Sequence, residues 1–317
     1  MNPLPSVSVI IPTYNREEVL VQTLDELLNL AHRADEIIVV DQSERHSAIV
    51  QSRLLTLEQE GEIRWIKLSQ PSIPNAMNVG TVNAKCELVL FLDDDILIPC
   101  ELVLEHAKEY TQKSVNAVAG HVIQSWETAL GKHEPSFRDA QNQDPDAFRF
   151  NSSTRMEINR FSGGNVSFRA KDLMSTGGFD NNFAKVAYRF EAECAERFTR
   201  LGKTIVFQPK ASVLHLKELS GGTRSFGDHQ TTITPSHSVG RYYYFLVVKN
   251  QHRRWARFIS SPFSACATRF HLKRPWYIPV TLVAEFSGMI WATYLALKGQ
   301  DLLRPEDTQS NTSIKPN

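Results

Sequence analysis

The sequence predicts an α/β protein with a doubly wound, mainly parallel sheet flanked by helices and followed by a helical C-terminal extension. Three observations support this fold class. Short apolar runs of strand length alternate with helical stretches over roughly the first ninety residues. Polar residues directly follow several of these runs. The 317 residues are also enough to bury a full core. Strands separated by helices pair in parallel through right-handed crossovers.

The first strand and helix are predicted at the N-terminus. Residues 7–11 form a β-branched run that Pro12 stops, which is typical of a buried parallel strand. Asn15 is expected to cap the helix that follows. Leucines then recur at helical spacing and give this helix one apolar face: Leu20, Leu24, Leu27 and Leu28.

Three further apolar runs complete the predicted parallel strands, at residues 37–40, 64–68 and 88–92. A helix is expected to start near Asn75. Asp41 ends the second strand, and Asp93 directly follows the fourth. Because ligands bind outside the carboxyl ends of such strands, residues 13–15, Asp41 and residues 93–95 are expected along one rim.

The pattern changes beyond about residue 98. The sequence predicts helices at 101–110 and 191–201, and strands or strand-like segments at 117–122, 161–168, 204–207 and 212–216. Between them, the polar stretch 127–154 is a long loop of the kind that is usually functional or mobile. The stretch 220–234 is rich in Gly, Ser and Thr and has the composition of a flexible lid. We therefore expect one domain over 1–234, with halves at about 1–97 and 98–234.

Residues 235–303 are expected to form the helical extension, and residues 304–317 a disordered polar tail. Residues 278–297 are mostly apolar, interrupted by Glu285, and about 20 apolar residues suffice to cross a bilayer. Apolar side chains recur there at helical spacing, at Leu282, Phe286, Ile290, Tyr294 and Leu297. Three placements remain open: packing on the domain, lying on a membrane surface, or spanning it. The second is suggested by the basic residues Arg253, Arg254, Lys273 and Arg274.

Composition narrows the function classes. Lys plus Arg and Asp plus Glu each number 35, so the basic excess of a nucleic-acid binder is missing. Four scattered cysteines fit reduced thiols rather than a disulfide framework or a paired zinc site. The N-terminus shows no cleavable signal pattern. We therefore expect the catalytic part in the cytoplasm, at the inner face of the plasma membrane if the extension contacts lipid.

Asp93, Asp94 and Asp95 are adjacent carboxylates that repel one another. A hard divalent cation, Mg²⁺ or Mn²⁺, would relieve this repulsion and bridge to phosphates. The alternative is a solvated acidic turn. Asp41 is either a turn former or an acceptor for a base N–H or ribose hydroxyl. Tyr14 either packs at the surface or stacks on a nucleobase.

The ordered motifs resemble family 2 glycosyltransferases of the GT-A fold over about residues 6–216. The motifs are Val7-Ser-Val-Ile-Ile-Pro-Thr-Tyr-Asn15, Asp35-Glu-Ile-Ile-Val-Val-Asp41, Asn75-Ala-Met-Asn-Val-Gly80, Leu88-Val-Leu-Phe-Leu-Asp-Asp-Asp95, Gly163-Gly-Asn-Val-Ser-Phe-Arg169 and Gly177-Gly-Phe-Asp180, ending near His215. Any one motif is weak, but the set in this order is specific.

The resemblance implies an inverting enzyme that moves a hexosyl or deoxyhexosyl group from a nucleoside diphosphate sugar to an acceptor hydroxyl. A glycan or lipid-linked acceptor in cell-surface polysaccharide or glycolipid synthesis is expected. The implied nucleotide-binding residues are Pro12, Thr13, Tyr14, Asn15, Asp41, Asn78, Asp93 and Asp94. Asp93 and Asp95 carry the metal and diphosphate signature, with Asp94 nearer the ribose or sugar. The implied donor-sugar and acceptor residues are Gly163, Gly164 and Asn165.

The expected catalytic base departs from the family pattern. Where relatives have a Glu-Asp pair opening a helix, this sequence has Phe190 and Glu191. Glu191 is the predicted base and Glu193 the fallback; the alternative for Glu191 is a solvated helix-start carboxylate. His215 stands where some relatives place a third metal ligand, although a lone His is often structural. Arg224 could clamp a phosphate from the lid.

Two alternative hypotheses are other enzymes, and a third belongs to another class. A nucleotidyltransferase or a dinucleotide-dependent dehydrogenase would show a glycine-rich loop after the first strand, where this sequence reads Pro-Thr-Tyr-Asn-Arg. A non-catalytic carbohydrate- or membrane-binding scaffold would be favoured by loss of Asp93 or Asp95, and both are present.

Overall fold

A computed structural model describes residues 3–124, 150, 152–218, 220–249, 251 and 253–304. Most of the predicted loop at 127–154, and the predicted tail after residue 304, lie outside the described residues. The two-part division at about residue 235 remains a prediction; every element described after this point is helical.

The described strands form one sheet in the order β3-β2-β1-β4-β8-β6-β9-β5, with β7 paired to β9. Their bounds are Val7–Thr13 (β1), Glu36–Asp41 (β2), Arg64–Lys67 (β3), Leu88–Leu92 (β4), Ile96–Leu97 (β5), Val115–Gln124 (β6), Met156–Ile158 (β7), Asn165–Arg169 (β8) and Thr204–His215 (β9). Strands β1 to β4 pair in parallel, and β8 pairs antiparallel with both β4 and β6. This arrangement confirms the predicted fold class. The two strands expected after residue 204 are one long strand, β9, with a register shift against β6.

Ten α-helices are described. They are Glu18–Leu28 (α1), Ala48–Gln59 (α2), Ile73–Asn83 (α3), Leu102–Glu109 (α4), Ala170–Ser175 (α5), Phe190–Arg200 (α6), Val239–Val247 (α7), Arg254–Cys266 (α8), Arg269–Lys273 (α9) and Ile278–Lys298 (α10). The sequence did not single out α2. The expected cap of α1 is wrong, because Asn15 has a φ of 51° and the helix begins three residues later.

The sheet has a hydrophobic core on each face. Alternate side chains of β1 point to opposite faces, so Val9 and Ile11 join the core under α1 and α2 while Ile10 joins the other. The second core holds a group of phenylalanines in edge-to-face contact: Phe91, Phe161, Phe168, Phe179, Phe190 and Phe198. Edge-to-face pairs stabilise a core beyond their area of burial. This aromatic group lies directly behind the end of β4, where Asp93 begins the site.

In the C-terminal extension, the most buried residues of α10 are not its large apolar ones. The buried stripe of α10 is made of small or polar residues: Thr281, Ala284, Glu285, Gly288 and Ala292. Of the predicted apolar stripe, Phe286, Ile290, Tyr294 and Leu297 are exposed. These side chains are therefore not the ones that hold α10 against the domain. Within the described residues, Pro275–Lys298 is the one helical segment long and apolar enough to cross a membrane by length and composition.

Candidate active site

A cavity of about 980 Å³ opens at the carboxyl ends of β1 and β4. Pro12, Thr13 and Tyr14 line it from the end of β1, and the residues after β4 line the same space. This confirms that the carboxyl ends of two separate strands meet at one rim. The predicted site residues on its wall are Pro12, Thr13, Tyr14, Asp93, Asp94, Asp95, Gly163, Gly164, Glu191, His215 and Arg224.

Asp93, Asp95 and His215 converge in this cavity. One ligand atom from each lies within 4.8 Å of the others, and His215 Nε2 is 3.2 Å from Asp95 Oδ1. Burial raises the pKa of Asp93. Burial also opposes ionisation of Asp95, but the hydrogen bond and charge of His215, with the charge of Arg16, hold its pKa below the ordinary value. Two carboxylates and an imidazole are oxygen and nitrogen donors suited to Mn²⁺ or Mg²⁺, so these residues could hold a divalent cation.

Arg16 is a site residue that the sequence analysis missed. Its buried guanidinium approaches Asp94 Oδ1 at 3.3 Å from Nε and Asp95 Oδ2 at 3.3 Å from Nη2. It also donates to the Ser220 carbonyl. A positive charge between two carboxylates offsets part of their repulsion. Arg16 follows a positive-φ residue, Asn15, and this turn directs it back over the end of β4.

Asp94 is tied to the first strand rather than to the metal-ligand group. Its Oδ2 accepts a hydrogen bond from Thr13 Oγ1 at 2.7 Å. Burial raises the pKa of Asp94 to about 7, although the charge of Arg16 and the Thr13 hydrogen bond oppose the rise. Asp94 and Asp95 thus have different surroundings on the same turn, while the expected position of Asp94 nearer the ribose or sugar stays a prediction.

Gly164 is required by the close approach of two segments. A Cβ at this position would lie 1.9 Å from Asp93 Oδ2, so only glycine leaves room for that carboxylate. The Gly164 carbonyl also accepts from the Asp93 N–H at 3.2 Å. Gly163 lies beside Glu191, whose Oε1 would be 3.4 Å from a Cβ there. The glycine pair therefore joins the acidic cluster to the predicted base.

Glu191 lies in the first turn of α6 and lines the cavity. The backbone N–H of Gly163 donates to its Oε1 at 3.4 Å. Burial raises the pKa of Glu191 to about 7, which is near the value that suits a general base at neutral pH. Phe190, at the position of the family's Glu, packs edge-to-face on Phe179 instead, with ring centroids 5.7 Å apart.

The structure does not support Glu193 as the fallback base. Its side chain is buried away from the cavity wall and pairs with Arg197, with Nε 2.9 Å from Oε1. Gln300 donates to the same oxygen at 2.8 Å. A carboxylate held by these donors stabilises α6 and is not placed to accept a proton from an acceptor in the cavity.

Asp41 makes its contacts with other side chains of the domain. Its carboxylate is fully buried and accepts from Trp65 Nε1 at 3.0 Å and Lys67 Nζ at 2.9 Å. His46 Nε2 lies 2.8 Å from the same oxygen, and the Ser43 N–H donates to the other. Asp41 is not among the cavity-lining residues. Its contact with a nucleoside stays a prediction.

Three predicted asparagines likewise do not reach the cavity wall. Asn78 bonds to both the N–H and the carbonyl of Phe179, at 2.8 and 2.7 Å, and so fixes the Gly-Gly-Phe-Asp turn. Asn165 donates to the Ala211 carbonyl at 2.9 Å and pairs with His106 Nε2. Asn15 has an exposed side chain, and its N–H donates to Ser43. Each residue shapes the backbone behind the site, and its contact with a ligand stays a prediction.

Tyr14 and the predicted lid meet at one side of the cavity. The Gly222 N–H donates to the Tyr14 carbonyl at 2.7 Å, and the ring of Phe226 stacks with that of Tyr14 at 6.2 Å between centroids. Residues Gly222–Phe226 form a short 3₁₀-helix. Arg224 lines the cavity and donates to the Glu218 carbonyl. The sequence predicted Arg224 and Tyr14 here but gave no role to Phe226.

A strained segment and the extension complete the wall. Lys185, Ala187 and Arg189 all line the cavity with φ values of 62°, 54° and 74°, a region that non-glycine residues rarely adopt. Such backbone is often held at functional sites by its surroundings. Here α7 packs against it, because a Cβ on Gly240 would lie 2.4 Å from the Tyr188 carbonyl. Tyr244, Gln251 and Arg257 of the extension also line the cavity. Sequence motifs did not indicate this shared wall.

Comparisons with known proteins agree with this architecture. The mannosyltransferase PcManGT from Pyrobaculum calidifontis, solved in complex with GDP-Man and Mn²⁺, matches with a TM-score of 0.54 at 18% identity, over 94% of this chain and 80% of that one. The structure of GalNAc-T7 with UDP, GalNAc and Mn²⁺ matches with a TM-score of 0.62 at 11% identity, over 95% of this chain and 59% of that one. At such identities the likeness shows a shared fold of the GT-A type.

A search of curated proteins by sequence gave no match. The sequence profile described as glycosyl transferase family 2 matches residues 8–176. This range runs from β1 to just past α5, so it includes the three adjacent aspartates and both glycines of the site. Because the match spans more than half of the chain, the protein belongs to glycosyl transferase family 2.

Proposed function

We propose that this protein transfers a sugar from a nucleoside diphosphate sugar to an acceptor hydroxyl, with inversion at the anomeric carbon. The observation that carries the proposal is the meeting of two chemically different groups in one cavity. The Asp93, Asp95 and His215 cluster suits a cation and diphosphate, and Glu191 stands across from it with a pKa raised by burial to about 7. These are the groups that a leaving diphosphate and an attacking hydroxyl require.

The residues at the ends of β1 and β4 would bind the nucleoside diphosphate sugar. Asp93, Asp95 and His215 would hold a divalent cation, which when bound supplies positive charge that stabilises the leaving diphosphate. Arg16 balances the remaining carboxylate charge at 3.3 Å. Pro12, Thr13 and Tyr14 form the adjoining wall and would hold the nucleoside.

Glu191 would act as the general base toward the acceptor hydroxyl. In a single displacement, the acceptor oxygen bonds to the anomeric carbon as the bond from that carbon to the diphosphate oxygen breaks. The electron pair leaves with the diphosphate, and the hydroxyl proton passes to the Glu191 carboxylate. The product then has the anomeric configuration opposite to that of the donor. A proton NMR spectrum of the first product checks this point.

A membrane-borne, anionic acceptor fits the remaining wall. The cavity is lined by basic side chains as well as by the acidic cluster: Arg160, Lys185, Arg189, Arg224 and Arg257. Guanidinium and ammonium groups suit an acceptor carrying phosphate. Tyr244, Gln251 and Arg257 of the extension line the same cavity. We therefore propose a lipid-linked acceptor, as in synthesis of surface polysaccharides or glycolipids, reached from the cytoplasmic side.

The first test is thermal unfolding with UDP, dTDP, GDP and CDP, each with and without Mn²⁺. A ligand at about 100 times its Kd adds roughly 2.7 kcal/mol to the free energy of unfolding, which raises Tm by several degrees in a protein of this size. We expect a shift with one nucleotide that requires the cation. Asp95→Ala should abolish it, because the variant removes one of the three ligands.

Asp172→Ala is the matched control, since Asp172 is similarly buried but pairs with Lys203 outside the cavity. It should lower the starting Tm and keep the nucleotide shift. Absence of any shift in the wild type would overturn the nucleotide-sugar proposal and favour a non-catalytic scaffold. A shift together with release of pyrophosphate from a nucleoside triphosphate and a sugar phosphate would instead favour a nucleotidyltransferase.

A further inference from the structure

The exposed hydrophobic residues of this protein are concentrated in the extension. Of the sixteen large hydrophobic side chains exposed in the described part of the chain, ten lie between residues 255 and 297. We call them the outer face: Trp255, Ile259, Phe263, Leu272, Trp276, Val283, Phe286, Ile290, Tyr294 and Leu297. They occupy α8, α9, α10 and the short 3₁₀-helix Pro275–Tyr277 between α9 and α10, and α8 contacts α10. Exposed apolar patches of this extent mark binding surfaces for a membrane or a protein.

The interior side of the same helices explains why these residues point outward. Gly288 approaches residues 238–239 so closely that a Cβ would lie 2.1 Å from Ser238 Oγ. Glu285 is buried against Arg241 and Tyr242. Small and polar residues make the closest contacts of α10, and Met289, Trp291 and Leu295 are partly buried beside them. The large apolar side chains of its outer face are left for another apolar medium. This is the pattern of a helix that faces lipid.

The charge of the extension indicates what the outer face contacts. Residues 249–300 contain eight Lys and Arg but only one carboxylate, Glu285, while the whole chain is neutral. Arg269, Lys273 and Arg274 are exposed next to the outer face. Tryptophan and tyrosine at the edge of an apolar surface are typical of the membrane–water interface, and a basic rim is attracted to anionic headgroups. A second copy of the chain would bring two basic rims together, which is unfavourable.

The first half of α10 is held by its neighbours in the extension. At its start, His271 Nε2 of α9 pairs with Thr281 Oγ1 at 2.8 Å. Further along, Ser238 Oγ donates to the Ala284 carbonyl at 3.0 Å. The helix that follows Ser238, α7, is itself tied to the catalytic part, because the Tyr243 hydroxyl donates to Asp180 at 2.8 Å.

The end of α10 is held by the catalytic part directly. Asn182 donates to the Gly299 carbonyl at 2.7 Å, and the Asp301 N–H donates to Asp180. At 1.5 Å per residue the 21 residues of α10 are about 31 Å long, so a spanning helix would carry one end to the far side of the bilayer. A helix held at Ala284 and at Gly299 by one domain must lie flat.

We propose that the outer face rests on an anionic lipid surface, as an interfacial and not a spanning element. The cavity wall formed by Tyr244, Gln251 and Arg257 would then lie close to the headgroups. Binding by the outer face does not depend on the transfer reaction, so its test does not require activity.

The test is flotation of the full chain with phosphatidylcholine vesicles, with or without a third of phosphatidylserine. The wild type should float with anionic vesicles and bind neutral ones at least roughly tenfold more weakly. The triple variant Phe263→Ser, Ile290→Ser, Leu297→Ser should lose roughly tenfold or more in binding, because it removes large buried side chains from the lipid contact. These three residues are 63%, 72% and 83% exposed in the lipid-free fold, so the variant should keep its Tm.

The matched control is Ile49→Ser, Leu201→Ser, Ile233→Ser, whose positions are 83%, 56% and 59% exposed outside the extension. It should bind as the wild type does. Arg269→Glu with Lys273→Glu should weaken binding to anionic vesicles, while Lys85→Glu with Lys113→Glu should not. Equal loss in both serine variants would overturn the proposal. A wild type that does not float with anionic vesicles would also overturn it. So would a wild-type dimer that the first serine variant dissociates, because the outer face would then contact a second copy. Membrane-bound protein that only detergent releases would overturn it as well, because it would indicate a spanning helix.

Discussion

The catalytic part and the C-terminal extension bury opposite kinds of side chain. Behind the site, the sheet is packed by phenylalanines that are almost completely inaccessible, such as Phe168 and Phe179. In the extension, α10 buries alanine, glycine and a charged pair and exposes Phe286 and Ile290. Both regions belong to one chain under one solvent. We attribute this difference to the proposed contact of the extension with lipid.

The buried carboxylates differ in the same way. Glu191 faces a cavity with few donors, and burial raises its pKa to about 7. Glu285 is less exposed to solvent than Glu191 but is met by Arg241 and by the Tyr242 hydroxyl. A paired buried charge holds two elements together, while a poorly paired one at a cavity is available for proton transfer. The same substitution at Glu191 and at Glu285 should therefore distinguish the catalytic part from the extension.

The largest expected effect is on turnover. Glu191→Gln should lower kcat by about 10² to 10⁴-fold, the range for loss of a general base, and leave nucleotide binding intact. In the wild type, kcat/KM should fall as pH drops below about 7, because protonation of Glu191 removes the base. Initial rates with radiolabelled donor across pH measure both. Glu285→Gln is the control: it should lower Tm and keep kcat, and equal losses of kcat would remove Glu191 from the role.

The second effect is on stability in the catalytic part. Phe168→Ala should reduce the free energy of unfolding by about 3–5 kcal/mol, because it leaves a cavity among tightly packed rings. Phe168 is fully buried and meets Phe161 and Phe198 edge-to-face, at 5.2 and 5.4 Å between centroids. Urea unfolding gives the value. A loss below about 1 kcal/mol would mean that this core is loosely packed.

The smallest expected effect is on stability after a substitution in the outer face of the extension. Ile290→Ser should change the free energy of unfolding by no more than about 0.5 kcal/mol in the absence of lipid, as for other exposed positions. Ile290 is 72% exposed although it lies in the most apolar helix of the chain. The same urea experiment checks it. A loss comparable to that of Phe168→Ala would show that the outer face is packed in solution, and the contrast between the two regions would disappear.

Much of the catalytic part follows from local sequence pattern. Each parallel strand is a short apolar run, and the residue that follows it must lie at the carboxyl edge of the sheet. That rule placed Thr13, the three aspartates and, with the motif order, Glu191 and His215 on one cavity. Arg16 could not be found in this way. Its role comes from a turn that directs its side chain onto two residues nearly eighty positions later.

The features that local sequence pattern left undecided share a physical cause. Asp41 does end a strand as predicted, but whether its carboxylate is free depends on Trp65 and Lys67, which the fold brings from the neighbouring strand. Periodicity in α10 showed that a stripe exists but not which way it points, because both of its faces are largely uncharged. Orientation is decided by the close contact of Gly288 with Ser238, a fact of packing that no local pattern contains.

The anchoring of both ends of α10 has a consequence for its rotational setting. Thr281 and Gly299 are each tied to a fixed partner, so the number of residues between them sets the angle at which the helix is presented. Removing one residue would rotate everything beyond it by about 100° relative to the first anchor. The rotation of α10 about its axis, and not its hydrophobicity alone, therefore decides which side chains it exposes. Insertions and deletions within α10 should be far less tolerated than substitutions on its exposed side.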